Sequence, residues 1–131
     1  YYNLLVIFIT SFSIEIILLG ATGSRIDHMI ANISMLKLGI QRGVPISIMD
    51  GKNYIGIIKD SITLKGKAGE YFSLIPYTEK VEGISIRGAH YELENAVMEF
   101  GDTCGVSNYF KEETVEIAIK KGYLLVIKSE D

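Results

Sequence analysis

One cysteine, Cys104, is all that the chain holds in 131 residues. That scarcity excludes an internal disulfide framework and a cysteine-only zinc site, and it suits a reducing cytoplasm. A basic surplus is missing as well: the net charge is -3, whereas proteins that grip nucleic acid usually carry excess Lys and Arg. Nucleic acid is therefore not an expected partner. The chain also lacks an unbroken apolar run of membrane length, which takes about 20 residues. Its opening, YYNLLVIFITSFSIEIILLG, is interrupted by Asn3, Ser11, Ser13 and Glu15. No basic segment precedes that run and no Lys/Arg cluster flanks it, so neither a membrane anchor nor a signal peptide is expected. The chain starts on Tyr1 rather than Met, and a piece of something longer is the expectation.

What is present is a globular composition, 48% hydrophobic and 22% charged, long enough for one ordinary domain or two small ones. Two halves differ in period. Ile14 to Leu19, IEIILL, reads as a buried strand that runs straight into a glycine loop. Beyond the loop Ile26, Met29, Ile30, Ile33, Leu36 and Ile40 recur at helical spacing, which predicts a helix from about Ser24 to Gln41 with Gly43 as its stop. PISIMD then reads as a second strand. Strand, helix and strand with short connections make a βαβ crossover, and that implies a parallel sheet. From Gly51 onward, short runs rich in β-branched and aromatic residues are separated by turn signals: NYIGIIK, SITLK, EYFSLIPY, GISIRG, TVEIAI and GYLLVIK. They suggest an antiparallel sandwich. The expected fold is α/β followed by all-β, a partial parallel unit docked on an antiparallel β-sandwich, with residues 1–50 and 51–131 as the two parts.

The glycine loop carries the most chemistry. GATGSRIDH, Gly20 to His28, joins a strand to a helix N-terminus, where backbone N–H groups and the helix dipole favour an anion. Gly20 and Gly23 allow close backbone approach, Thr22 and Ser24 offer hydroxyls, and Arg25 can grip phosphate oxygens in bidentate fashion. Asp27 can hold Mg²⁺, which takes one or two carboxylates together with substrate phosphates. A plainer account is a capping box, in which Ser24 and Asp27 satisfy free helix N–H groups. The physics favours the cap for Ser24 and leaves Asp27 open between the two, with His28 given no role. The spacing matches neither GxGxxG nor the P-loop.

A second constellation is EFGDTCGVSNYF, Glu99 to Phe110. Ser107 and Asn108 supply donors and acceptors suited to a polar heterocycle, and Phe100 and Tyr109 can line a pocket. Gly, Asp, Ser and Asn are also ordinary turn residues, and the turn is the preferred reading of the residues alone. Cys104 is expected to behave as a small hydrophobe, and His90 as an exposed or capping residue at a strand end.

Three segments in this order resemble the thiamine pyrophosphokinase (thiamine diphosphokinase) family. They are EIILLGATGSRIDHMIAN (Glu15 to Asn32), YFSLIPYT (Tyr71 to Thr78) and VEGISIRGAHYELENAVMEFGDTCGVSNYF (Val81 to Phe110). The last is similar to the family's G-x-x-x-x-G strand, Y/W-x-L-x-N step and F-G-x-x-x-x-x-S-N run. The resemblance implies transfer of the pyrophosphoryl group of ATP, with Mg²⁺, onto the hydroxyethyl group of thiamine, with release of AMP. It implies an α/β domain followed by a β-sandwich, in a homodimer that holds thiamine between the α/β domain of one subunit and the sandwich of the other.

Carried over by motif, Arg25 and Asp27 are the expected catalytic pair, with Asp27 on the metal. Gly20, Thr22, Gly23 and Ser24 are expected on phosphate, and Ser107, Asn108 and Tyr123 on thiamine. Tyr123 falls roughly where animal and fungal relatives carry a Trp, and a strand Tyr supporting the core is its competing reading. The chain departs from the family in one respect: residues 1–14, ahead of the loop, contain no Asp or Glu, where the family has an acidic Mg²⁺/ATP cluster. That departure keeps two alternatives in view, a thiamine-binding module without ATP chemistry and a fragment whose exposed sheet edge needs a partner chain.

Overall fold

The computed structural model describes residues 4–9, 14–20, 22 and 25–130. Gly23 and Ser24 of the expected phosphate loop lie outside the described residues. The chain divides into two compact units, Tyr1–Ile57 with Ser129–Asp131, and Ile58–Lys128. Among the described residues no helix is long and apolar enough to cross a membrane.

The first unit is built on strands β1 (Leu4–Ile9), β2 (Ile14–Leu19), β3 (Ile46–Met49) and β4 (Asn53–Ile58, which leaves the unit at its last residue), with helix α1 (Ile26–Gln41) between β2 and β3. β2 and β3 are parallel, with Leu19 beside Met49, as the βαβ pattern predicts. β1 pairs with β2, and β4 with β3, in antiparallel fashion. A two-residue-period strand can accept a hairpin neighbour on either side, so one crossover does not make the whole sheet parallel. The helix ends as its sequence predicts: Gly43 takes φ +72°, and Val44 N–H closes onto Gly39 C=O at 2.9 Å, a Schellman-type stop.

The helix start and its buried face differ from expectation. The N-cap is Arg25, with no side-chain cap bond, and helix begins at Ile26 rather than Ser24. Asn32, Leu36 and Gly39 are buried, while Ile26 and Ile30 of the apolar stripe are 66% and 57% exposed. The roll is set by Gly39. A Cβ there would stand 2.4 Å from Ile46 Cγ1 and from Val44 C=O, so the missing side chain is what lets α1 lie close on β3.

The second unit holds β5 (Ser61–Lys65), β6 (Tyr71–Pro76), β7 (Lys80–Arg87), β8 (Leu93–Glu99), β9 (Asn108–Tyr109), β10 (Thr114–Ala118) and β11 (Leu124–Ser129, which leaves the unit at its last residue). One sheet runs β5-β10-β7-β8, and β11-β6-β9 run side by side in the other. All of these pairs are antiparallel. Period-two alternation buries Val115 and Ile117 on β10 and Phe72 and Leu74 on β6. These side chains, with Val81, Ile84, Met98, Phe110, Leu124 and Val126, form one core between the sheets. A Cβ on Gly105 would meet Leu74 and Met98 at 3.2 Å, which places that loop between the two sheets. β8 and β9 are strands beyond those the pattern predicts. β8 is an edge strand with Met98 alone buried, and its register shifts against β7 near Asn95, whose φ is +49°.

Candidate functional site

The glycine loop leaves β2 at the carboxyl end of the parallel pair, the end at which open α/β sheets take ligands. Gly20 adopts φ +69°, a left-handed turn that a β-carbon would oppose. Thr22 hydroxyl donates to Asp50 Oδ2, and this bond joins the loop to the turn after β3. Arg25, at the helix N-terminus, is engaged with Asp27: Nη2 lies 2.6 Å from Oδ2 and Nε 3.2 Å from Oδ1. Both side chains are about two-thirds exposed, at 64% and 62%. Asp27 Oδ1 also accepts the His28 N–H at 2.9 Å, so Asp27 does satisfy a first-turn donor, and the N-cap position is held by Arg25. The Arg25 guanidinium holds the Asp27 carboxyl below the usual carboxylate range. The two expected catalytic residues are thus brought together as an ion pair.

Asp50 is a residue that the motifs missed. Its Oδ1 accepts Lys52 N–H and Asn53 N–H, both at 2.7 Å, and Asn53 Nδ2 donates to Oδ2 at 3.0 Å. These donors, Thr22 first, hold its carboxyl down at about 2. The signal for it was the turn string DGKN, since an Asx turn is what Asp does two residues before a backbone N–H. Among the described residues no group of three His, Cys, Asp or Glu is placed to hold a metal ion. Of the two carboxylates, Asp27 is the exposed one and its oxygens are held by Arg25 and the His28 N–H, whereas the Asp50 oxygens are tied into the turn and to Thr22. A carboxylate of the Asp27 kind is the donor type that suits Mg²⁺.

In the second unit, Ser107 takes φ +61°, is exposed, and its N–H donates to Ser73 Oγ at 3.0 Å. Asn108 points the other way, into the protein, and is 5% exposed. Its Oδ1 accepts from Tyr91 N–H at 3.1 Å and Tyr109 N–H at 2.9 Å, and its Nδ2 donates to Tyr91 C=O at 2.9 Å. Asn108 therefore fixes the segment that carries His90 and Tyr91. His90 is exposed, as expected, and stacks on Tyr109 with ring centres 4.5 Å apart and 13° between planes. Tyr91 and Tyr71 meet that stack edge-on. Cys104 is exposed, contrary to the expected small hydrophobe, because its loop leaves Gly105, and not the thiol, between the sheets.

Tyr123 stands elsewhere. Its C=O accepts the Tyr77 N–H at 2.9 Å, whereas Asn108 lies beside Phe72. At ~3.3 Å per residue, Phe72 and Tyr77 are roughly 17 Å apart along the strand. Within one chain, Ser107 and Asn108 adjoin each other and Tyr123 is remote from both.

These features define a class: a β–loop–α–β unit with a glycine-containing loop, and an all-β unit presenting polar and aromatic residues on turns. Residues 58–124 match the family model described as thiamin pyrophosphokinase, vitamin B1 binding domain. The chain is 30% identical over 114 residues to thiamine pyrophosphokinase of Bacillus subtilis (strain 168), covering 86% of this chain and 53% of that one. The crystal structure of the Bacillus subtilis protein superposes with a TM-score of 0.81 at 29% identity, over 86% of this chain and 54% of that one. That of thiamin pyrophosphokinase from Geobacillus thermodenitrificans gives 0.78 at 32%, over 88% and 54%. The chain belongs to the thiamin pyrophosphokinase family, with the vitamin B1 binding domain spanning residues 58–124. It spans about half the length of the curated relatives it matches.

Proposed function

We propose that the chain serves the thiamine pyrophosphokinase reaction, with ATP as co-substrate and thiamine as acceptor. The thiamine hydroxyl oxygen bonds to the β-phosphorus of ATP, the bond from that phosphorus to the oxygen of AMP breaks, and the hydroxyl proton is released. Catalysis of such a transfer rests on positioning and charge neutralisation. Backbone N–H groups of the loop from Gly20 through Gly23, with Ser24, meet the phosphates. Arg25 moves from Asp27 to the developing charge, and Asp27 orients the hydroxyl or holds Mg²⁺. Mg²⁺, when bound, supplies neutralisation of the phosphate charge.

In this reading residues 1–50 are the catalytic α/β part and residues 51–131 the thiamine part, where Ser107 and Tyr123 face the vitamin and Asn108 fixes the turn. A homodimer with the site at the subunit interface suits the wide spacing of Ser107 and Tyr123, since two copies can then contribute different groups. A cytoplasmic setting suits the single cysteine. The observation that carries the reading is the vitamin B1 binding match over residues 58–124, preceded in the same chain by the glycine loop.

The test is nucleotide product analysis of the purified chain with Mg·ATP, with and without thiamine. Thiamine-dependent AMP is the expected result. Absence of AMP, with thiamine still bound in calorimetry, would refute the catalytic reading of this chain and leave a binding module.

A further inference from the structure

We propose that Asp50 is the positioning residue of the glycine loop: its carboxylate ties Thr22 to the turn after β3 and so sets the backbone offered to phosphate. The inference rests on the reading of the loop as a phosphate site, and its starting point is place. β2 and β3 are parallel neighbours in register, Leu19 beside Met49, so the chain leaves them at Gly20 and Asp50 side by side. The Asp50 carboxylate is itself held by its own turn. Lys52 N–H and Asn53 N–H hold Oδ1 at 2.7 Å, Asn53 Nδ2 holds Oδ2 at 3.0 Å, and Asp50 N–H donates to Asn53 C=O at 3.0 Å. To that fixed group Thr22, 28 residues earlier in the chain, donates its hydroxyl.

A hydroxyl has one proton to give. Thr22 spends it on Asp50, so toward a phosphate oxygen it presents lone pairs only. The Thr22 side chain is therefore a tether, and phosphate is left to the backbone N–H groups of the loop, as at other glycine-rich anion sites. The carboxylate is ionised throughout the physiological range, since its donors hold it at about 2. The tether is thus charge-assisted, the stronger class of hydrogen bond.

The experiment separates a tether from a phosphate ligand by the pattern of variants. Thr22→Val removes the hydroxyl and keeps the shape, Thr22→Ser keeps the hydroxyl, and Asp50→Asn keeps the turn acceptor but removes the charge. Amide exchange is read on the ligand-free chain at Gly20, Thr22 and Arg25, with β10 amides as internal control. Thr22→Val is expected to speed exchange at those three by about tenfold, roughly one charge-assisted bond. Asp50→Asn shifts it the same way, the double variant goes no further than Thr22→Val, and Thr22→Ser stays near wild type. In turnover assays KM for ATP rises with Thr22→Val while KM for thiamine does not.

Unchanged exchange in Thr22→Val, effects of the two single variants that simply add, or faster exchange with KM for ATP unmoved would each overturn the proposal. Should the wild-type chain make no AMP, the enzymatic reading fails on its own, and the exchange pattern still decides the tether.

Discussion

Asn108→Ala is the perturbation that most directly separates the structural and ligand-contacting accounts of the SN pair. Three side-chain hydrogen bonds disappear, two of them reaching 17 residues back to the Tyr91 N–H and C=O. The side chain is 5% exposed, so its bonds are made away from water, but Tyr91 itself is 63% exposed and its backbone regains some solvent. A net ~1 kcal/mol for each long-range bond, with a further fraction for imperfect resolvation, gives a loss of about 2–3 kcal/mol. For a unit of this size that corresponds to a fall in Tm of about 10 °C or more. The chain has eight Tyr and no Trp, so urea unfolding is followed by tyrosine emission and far-UV circular dichroism, without thiamine. A change under about 0.5 kcal/mol would refute the reasoning, because that is the range of an ordinary surface substitution.

Gly39→Ala raises helix propensity by about 1 kcal/mol, yet the new Cβ would sit 2.4 Å from both Ile46 Cγ1 and Val44 C=O. Overpacking of about 1–3 kcal/mol or more outweighs the gain, and a calorimetric Tm at or above wild type would show that α1 does not lie as close on β3 as described. The carboxyl of Asp50, lowered from 3.8 to about 2, contributes stability that is complete above the unfolded value and is lost as pH falls through the folded one. The stability difference between wild type and Asp50→Asn therefore shrinks between about pH 4 and pH 2, and a pH-independent difference would count against the network. Asp27→Asn, at an exposed side chain, should leave the Tm within a degree or two while turnover falls by roughly 10²-fold or more; near-native turnover would remove Asp27 from the reaction.

The βαβ unit was legible because each of its parts has a local cause. IEIILL is β2 to the residue, the periodic apolar positions run on to the helix stop, and Gly43 ends α1 through its own φ. The roll of the helix was not legible. Ile26 and Ile30 belong to the same stripe as Leu36, and only the approach of Gly39 to Ile46, a tertiary fact, shows which part of the stripe is covered. β8 escaped for a related reason: LENAVME is an edge strand with one buried residue and a left-handed Asn95, so it carries neither alternation nor a clean boundary. β9 is two residues long and starts on Asn108, whose chemistry reads as turn. At the candidate sites the residue types were legible, but the partners were not. Thr22 and Asp50 meet beyond the ends of neighbouring strands, and Asn108 and Tyr91 across a loop, and sequence spacing encodes neither meeting.

Both candidate sites follow one rule of allocation. Asp50, in the turn beside the loop, and Asn108 are spent on backbone and tether, and in the proposed reaction the exposed neighbours, Arg25 with Asp27 and Ser107, are the groups left for a ligand. For the loop this has an electrostatic consequence in the proposed reaction. As long as Arg25 holds Asp27 the pair has no net charge to offer an anion, so a phosphate must compete for the guanidinium. If it succeeds, it leaves an uncompensated carboxylate within the same turn of helix. Two anionic groups at that spacing repel unless a cation joins them. Nucleotide and divalent cation should therefore bind the chain as a linked pair, each tightening the other by the same factor. In Asp27→Asn, with no carboxylate to be uncovered, that linkage should weaken while nucleotide alone binds at least as well as it does to wild type.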